Sequence, residues 1–384
     1  MLLLIENGEV YAPEPRGRQA VLVWDGKVVR MGGIDSRGAR EAAETLGGEL
    51  EVIDASGCLV VPGFVDPHMH LTGGSGEEGF ASRTPDLQLT EIVPWGTTTV
   101  VGVLGVDATT RTLPGLLAKV RGLNEEGMTA FLYTGHYEVP PVTFTDSVRN
   151  DLLLIREVIG VGEIAISDHR AVQPDVRELA RLVVDAHVGG MLSGKAGITH
   201  FHLGEIPDRL SPLRALIDDL HVAPELLYPS HVQRTPELLA EAVELAKRGS
   251  FVDMDSAEEG LGGCIRSFLD QGGPAARLTL SSDADSTAPK RLFEQVRAAV
   301  LEDGLPLEQV LPLVTANPAC ILKLQGKGKI EPGADADLVV LRKESLEIVD
   351  VIARGKLMVR RGEVVQRESY LEESDRILVL EGKK

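Results

Sequence analysis

Residues 62–70 read Pro62-Gly63-Phe64-Val65-Asp66-Pro67-His68-Met69-His70. An apolar run closes on two histidines one residue apart. In a strand, residues i and i+2 share a face, so both imidazoles leave the same side of the chain. A lone histidine is usually a satisfied core or surface residue. A His-x-His pair ending the first strand of a barrel is different, because barrel sites are built at that face, and it reads as metal binding.

The pattern downstream supplies the barrel. Strand candidates at 59–65, 97–103, 128–134, 164–166, 198–203, 225–228, 251–254 and 277–281 alternate with helical stretches. A helix is expected over 236–248, with Thr235 as N-cap, Pro236 at the first position and Gly249 past the end. Another is expected over 175–186, with Val176, Leu179, Ala180, Val183 and Val184 on one face. Eight such units across about 265 residues match the length typical of a (β/α)8 TIM barrel, which makes the fold class α/β. A doubly wound open sheet is the alternative, weakened because no GxGxxG or GxxxxGK[ST] phosphate loop follows the early strands.

Both ends of the chain are strand-rich. Val21-Leu22-Val23-Trp24 and Lys27-Val28-Val29-Arg30 flank Asp25-Gly26, a strong hairpin signal. Near the C-terminus, Ala336 to Leu341 precedes strands at 348–353, 356–360 and 363–365. The expected division is therefore a small β-sandwich domain made from residues 1–57 and 331–384, with the barrel, 58–330, inserted between them.

The 384 residues carry 39 Lys+Arg against 58 Asp+Glu, a net charge of −19. That balance argues against nucleic acid or an anionic membrane as partner. Cys58, Cys264 and Cys320 are scattered and odd in number, giving no disulfide framework and pointing to a reducing compartment. Leu2-Leu3-Leu4-Ile5 stops at Glu6 without a basic leader and reads as a strand, and no run is long enough for a membrane span. A cytoplasmic protein is expected.

Further ligands should come from other strand ends. His202 closes the fifth candidate, where His200 shares its face; His231 follows the sixth and Asp283 the eighth. With His68 and His70 they form a nitrogen and oxygen set suited to zinc or a similar divalent metal. His136, His169 and His200 lie near this rim as candidate supporting partners, whereas His187 and His221 fall on solvated helix or loop surface.

Pro-Gly-Phe-Val-Asp-x-His-Met-His, the later His, His and Asp, and Ala334-Asp335-Ala336-Asp337-Leu338-Val339-Val340 resemble the metal-dependent amidohydrolase superfamily. Within it the chain resembles the isoaspartyl (β-aspartyl) dipeptidase family over nearly its whole length. The specific segments are Gly73-Gly74-Ser75-Gly76-Glu77, Leu123-Asn124-Glu125-Glu126-Gly127, Ile166-Ser167-Asp168-His169-Arg170 and His231-Val232-Gln233-Arg234.

The resemblance implies two zinc ions per chain. His68, His70 and Asp283 would hold one, His202 and His231 the other, and a carboxylate would bridge them. In the family the bridge is a carbamylated lysine at the end of the fourth strand. This chain has Val161-Gly162-Glu163-Ile164 there, so the expected bridge is Glu163, whose shorter side chain requires the backbone or the metals to close the gap; a single-metal site, or a Glu163 paired with a neighbouring cation, is the alternative. Asp283 would be the general base and Tyr137 an oxyanion donor. Ser75, Glu77, Arg170, Arg234, Ser286 and Thr287 would bind substrate. The implied substrate is a small β-aspartyl dipeptide and the implied assembly a homo-oligomer. Cyclic amidohydrolase, N-acyl amino-acid deacylase and non-catalytic binding protein are the competing readings.

Overall fold

The computed structural model describes residues 2–45, 47–372 and 374–375. Eight strands run parallel around a barrel: β1 (Phe64–Met69), β2 (Thr97–Gly102), β3 (Thr129–Thr134), β4 (Val158–Ile166), β5 (Ile198–Leu203), β6 (Leu227–Ser230), β7 (Val252–Asp255) and β8 (Leu278–Ser281). The first six form one continuous ladder and β7 pairs with β8. Two links close the ring: Val232 N–H donates to the Asp253 carbonyl at 3.3 Å, and Met69 bridges Ala284 in parallel register.

Inward-facing Val65, Val101, Tyr133, Ile159, Ile198, Tyr228 and Phe251 fill the barrel, and Ala319, Ile321 and Leu322 pack into the same cluster. Outward-facing Phe64, Val100, Leu132, Phe201 and Leu203 pack under the helices. Helix Pro236–Lys247 has the expected Thr235 cap, its hydroxyl accepting from Leu238 N–H at 3.1 Å. The 175–186 expectation is too short. The helix runs Val176–Ser193 to a left-handed Gly194, and Val184, expected on the packed face, is exposed.

The terminal strands make two further sheets. Leu2–Glu6, Val21–Trp24, Lys27–Met31 and Leu50–Asp54 form one of four strands, with Asp25 and Gly26 both at positive φ in the hairpin turn. A seven-stranded sheet contains Cys58–Pro62, Leu338–Arg342, Ile348–Ala353 and Lys356–Arg360. Leu3, Ile5, Val23, Val60, Val340 and Ile352 pack between the two sheets. The other face of the larger sheet, with Val339, Leu341, Val351 and Val359, joins the core outside the barrel.

One strand expectation is corrected. Residues 59–65 are not one strand: Cys58–Pro62 pairs antiparallel with Leu338–Arg342, and β1 starts only at Phe64. Gly63 is the switch. Its N–H donates to the Asp337 carbonyl at 2.8 Å, and a Cβ there would stand 2.3 Å from Thr98 Oγ1. Hydropathy cannot see the break because both strands are buried. The fourth strand is also longer than expected, beginning at Val158 and not at residue 164.

Candidate metal centre and active site

The C-terminal ends of the strands converge on four imidazoles and two carboxylates. His68 lies in β1 and His70 directly after it; His202 lies in β5, His231 follows β6 and Asp283 follows β8. His200 and His202 project to the same inner side, but His200 sits beneath the site, stacked on Tyr133 at 5.2 Å and edge-on to His68 at 4.6 Å. His136 instead accepts from Val142 N–H at 3.3 Å, and the exposed His169 lies outside the cluster, with Nδ1 3.8 Å from Asp168 Oδ1.

Glu163 reaches the same space through a bulge. Val161 and Ile164 both face the outer core, which strict alternation forbids for residues three apart. The ladder to β5 shows the irregularity, Val161 opposite Thr199 and Ile164 opposite Phe201, three steps against two. Glu163 is thereby turned inward. The adjacent Gly162 is required there, since a Cβ would lie 2.7 Å from His200 Cβ.

The resulting geometry sets acceptors against acceptors. Glu163 Oε2 is 3.1 Å from His68 Nε2 and 3.2 Å from His202 Nδ1, while Oε1 is 3.5 Å from His70 Nε2. Asp283 Oδ1 is 3.2 Å from His68 Nε2 and 3.3 Å from His70 Nε2. Neutral imidazole nitrogens and carboxylate oxygens tolerate this only with protons or cations between them. Among the described residues, three ligand groups satisfy metal-site spacing: His68, His70 and Glu163; His68, His231 and Asp283; and Glu163, His202 and His231. Burial opposes a charged His68, yet Asp283 and Glu163 outweigh it and lift its pKa to about 10. Burial likewise pushes Glu163 and Asp283 up, but the histidines, His68 foremost, hold both below the usual carboxylate range. The donor set fits a divalent cation.

Two aspartates orient the outer imidazoles. His231 Nδ1 lies 2.8 Å from Asp255 Oδ2, which directs Nε2 toward the cluster. His202 Nε2 lies 3.1 Å from Asp168 Oδ2, which leaves Nδ1 for the cluster. Such carboxylate–histidine contacts fix tautomer and ring angle at metal sites. Asp255 and Asp168 were absent from the sequence expectation. Asp168 stands in a quoted motif, and Asp255 closes β7 at the position equivalent to the other ligands, so strand-end placement was the available signal.

A cavity opens above the cluster, lined by His70, Ser75, Glu77, Tyr137, His202, Arg170, Arg234 and Asp283. Tyr137 Oη is 3.0 Å from His202 Nδ1, and burial, with Glu163 nearby, holds the phenol well above its usual pKa, so it stays a donor. Arg170 donates to Asp168 Oδ2 at 2.7 Å and to Glu77 Oε1 at 2.8 Å. Arg234 donates to the Leu203 carbonyl. Ser286 and Thr287 do not line this cavity, and Ser286 is exposed.

Residues 59–358 match the model of the amidohydrolase family. The chain superimposes on the crystal structure of a β-aspartyl dipeptidase from Fervidobacterium islandicum AW-1 with a TM-score of 0.89, at 42% identity, over 95% of this chain and 98% of that one. The chain belongs to the β-aspartyl dipeptidase family of amidohydrolases. A second structure of the Fervidobacterium enzyme, in complex with a β-Asp-Leu dipeptide, matches at 40% identity and a TM-score of 0.89, over 95% of this chain and 97% of that one. Amidohydrolases further off share the fold alone: a D-hydantoinase from Thermus sp. aligns at 17% identity with a TM-score of 0.64, over 95% of this chain and 97% of that one. Among curated sequences, adenine deaminase 1 of Carboxydothermus hydrogenoformans is 26% identical over 90% of this chain and 55% of its own length. The chain spans about half the length of the curated relatives that match over most of it.

Proposed function

We propose that the chain hydrolyses β-aspartyl dipeptides at a site holding two zinc ions, with Glu163 as the bridging carboxylate. One observation carries the substrate assignment: Glu77, Arg170 and Arg234 line the same cavity as the histidine and carboxylate cluster, while its other charged residues, Asp107, Arg111 and Asp285, are engaged by neighbouring loop groups. A β-aspartyl dipeptide presents one ammonium and two carboxylates. Glu77 takes the ammonium, and the arginines take the carboxylates through their planar forks.

His68, His70 and Asp283 would hold one divalent cation and His202 and His231 the other, and such cations would supply Lewis acidity toward water and the scissile carbonyl. Asp283, ionised in its histidine surroundings, accepts the proton of the attacking water and returns it to the leaving amine. Tyr137 donates its O–H to the oxygen that gains charge as the carbonyl is attacked. Ser75 lines the ammonium end of the cavity. The same reading includes a homo-oligomer working in the cytoplasm on fragments that carry isomerised aspartate. Among the described residues no helix is long and apolar enough to cross a membrane.

The substrate assignment is tested with β-Asp-Leu, α-Asp-Leu, dihydroorotate, adenine and an N-acetyl amino acid side by side. Selective turnover of β-Asp-Leu is expected, and α-Asp-Leu cleaved as fast overturns the assignment. Glu163 as bridge predicts two metal equivalents per active chain and a rate indifferent to bicarbonate. One equivalent at full activity removes the bridge.

A further inference from the structure

Asp285 stands two residues past Asp283, and both its oxygens are engaged by the loop that follows β1. Oδ2 accepts from Ser75 N–H at 2.9 Å and Oδ1 from the Thr84 hydroxyl at 3.0 Å, and the Ser75 hydroxyl, 3.0 Å from Oδ2 and 3.1 Å from Oδ1, shares its one proton between them. The approach is close, since a Cβ on Gly74 would stand 2.5 Å from the Asp285 carboxyl carbon. Ser75 itself has φ +54°, a left-handed conformation uncommon outside glycine and sustained only where its surroundings hold it.

The other side of this loop is fixed as well. Arg111, only 5% exposed, donates to the carbonyls of Gly73 at 2.7 Å, Gly74 at 2.6 Å and Thr84 at 2.8 Å. The loop is thus anchored at its root, while Glu77 at its tip is half-exposed and reaches Arg170. Asp285 connects the segment carrying Asp283 to the segment carrying Glu77.

We infer that Asp285 is a positioning residue that sets selectivity for a substrate ammonium, by holding Ser75 in its left-handed turn and so placing Glu77 at a fixed reach from Asp283. This rests on the β-aspartyl dipeptide reading. Asp285 borders the cavity, but both its oxygens are taken up by Ser75 and Thr84, so its action passes through the loop.

The test compares kcat/KM for β-Asp-Leu with that for succinyl-Leu, which has the same skeleton without the α-amino group, in the metal-loaded enzyme. Asp285→Ala is expected to lower the ratio by about tenfold, the scale of a hydrogen-bonded charged contact, mainly through KM for β-Asp-Leu. Asp285→Asn keeps one acceptor oxygen and should fall between Asp285→Ala and wild type. Thr84→Val, which removes one donor to Asp285, should lower the ratio less. In a Glu77→Gln background Asp285→Ala should no longer change it, because the effect passes through Glu77. A ratio unchanged in all three single variants, equal losses on both substrates, or full additivity with Glu77→Gln overturns the proposal. A wild-type enzyme inactive on β-Asp-Leu overturns the substrate reading itself; an active wild type with an unmoved ratio overturns only the role of Asp285.

Discussion

Asp255 and Asp283 both face His231, their Oδ2 atoms 2.8 Å and 4.0 Å from its Nδ1, yet their expected phenotypes are opposite. Asp283→Asn keeps an oxygen facing His68 and His70 but gives up the proton acceptor, so kcat should fall by about 10²- to 10⁴-fold while metal analysis stays near wild type. Asp255→Ala leaves every proposed ligand in place but frees His231 Nδ1, now 2.8 Å from Asp255 Oδ2. Zinc affinity should drop by about 10- to 100-fold, read by titration against a competing chelator. Asp283 was read from the sequence; Asp255 ends a strand in a similar way and was missed. His68 and His70 announce themselves by a spacing of two, and Asp283 by following a strand. Asp255, two residues after Asp253 at the end of β7, and Asp285, two after Asp283, carry a spacing of their own, but aspartate is mostly a surface residue and only their contacts single these two out.

Among the elements, β5 was readable to the residue, because Ile198 to Leu203 alternates cleanly between inner and outer core. β1 and β4 were not, each for a local reason. At Gly63 two strands of different sheets meet with no polar residue between them, and at 162–163 a bulge breaks the alternation that strand reading relies on. Both irregularities depend on glycine where another backbone or side chain comes near. Gly63→Ala places a methyl group 2.3 Å from Thr98 Oγ1 and 2.7 Å from its Cγ2, within a fully buried wall. It should cost about 1–3 kcal/mol, the usual range for overpacking, measured as a shift in urea midpoint at constant slope.

Across the whole molecule the barrel and the terminal sheets are joined by a buried cation. Lys327 Nζ lies 2.6 Å from Thr129 Oγ1 at the start of β3, 3.0 Å from Asp335 Oδ2 and 2.5 Å from Asp337 Oδ2. Lys327→Met leaves the buried Asp337 carboxylate without its cation, while the part-exposed Asp335 keeps Lys27, so stability should fall by about 3–5 kcal/mol in chemical denaturation. The kcat of the folded fraction should not change, because Lys327 packs beside the start of β3 and the site lies at the strands' other ends. The pattern of strands at both ends and a barrel between was visible in the sequence. The pairing of Lys327 with two aspartates was not, since nothing in their spacing distinguishes them from solvated charges. The net charge of −19 also says little about the site, where Arg170 and Arg234 border the cavity.

The chain passes from the seven-stranded sheet to β1 across one residue, and His68 follows only five positions after Gly63. The terminal sheet therefore acts as a jig for the metal centre: whatever loosens its grip on Cys58–Pro62 alters the reach of two proposed ligands at once. A surface mutation on the outer strands of that sheet, remote from any substrate, is a route by which metal occupancy and thermal tolerance drift together.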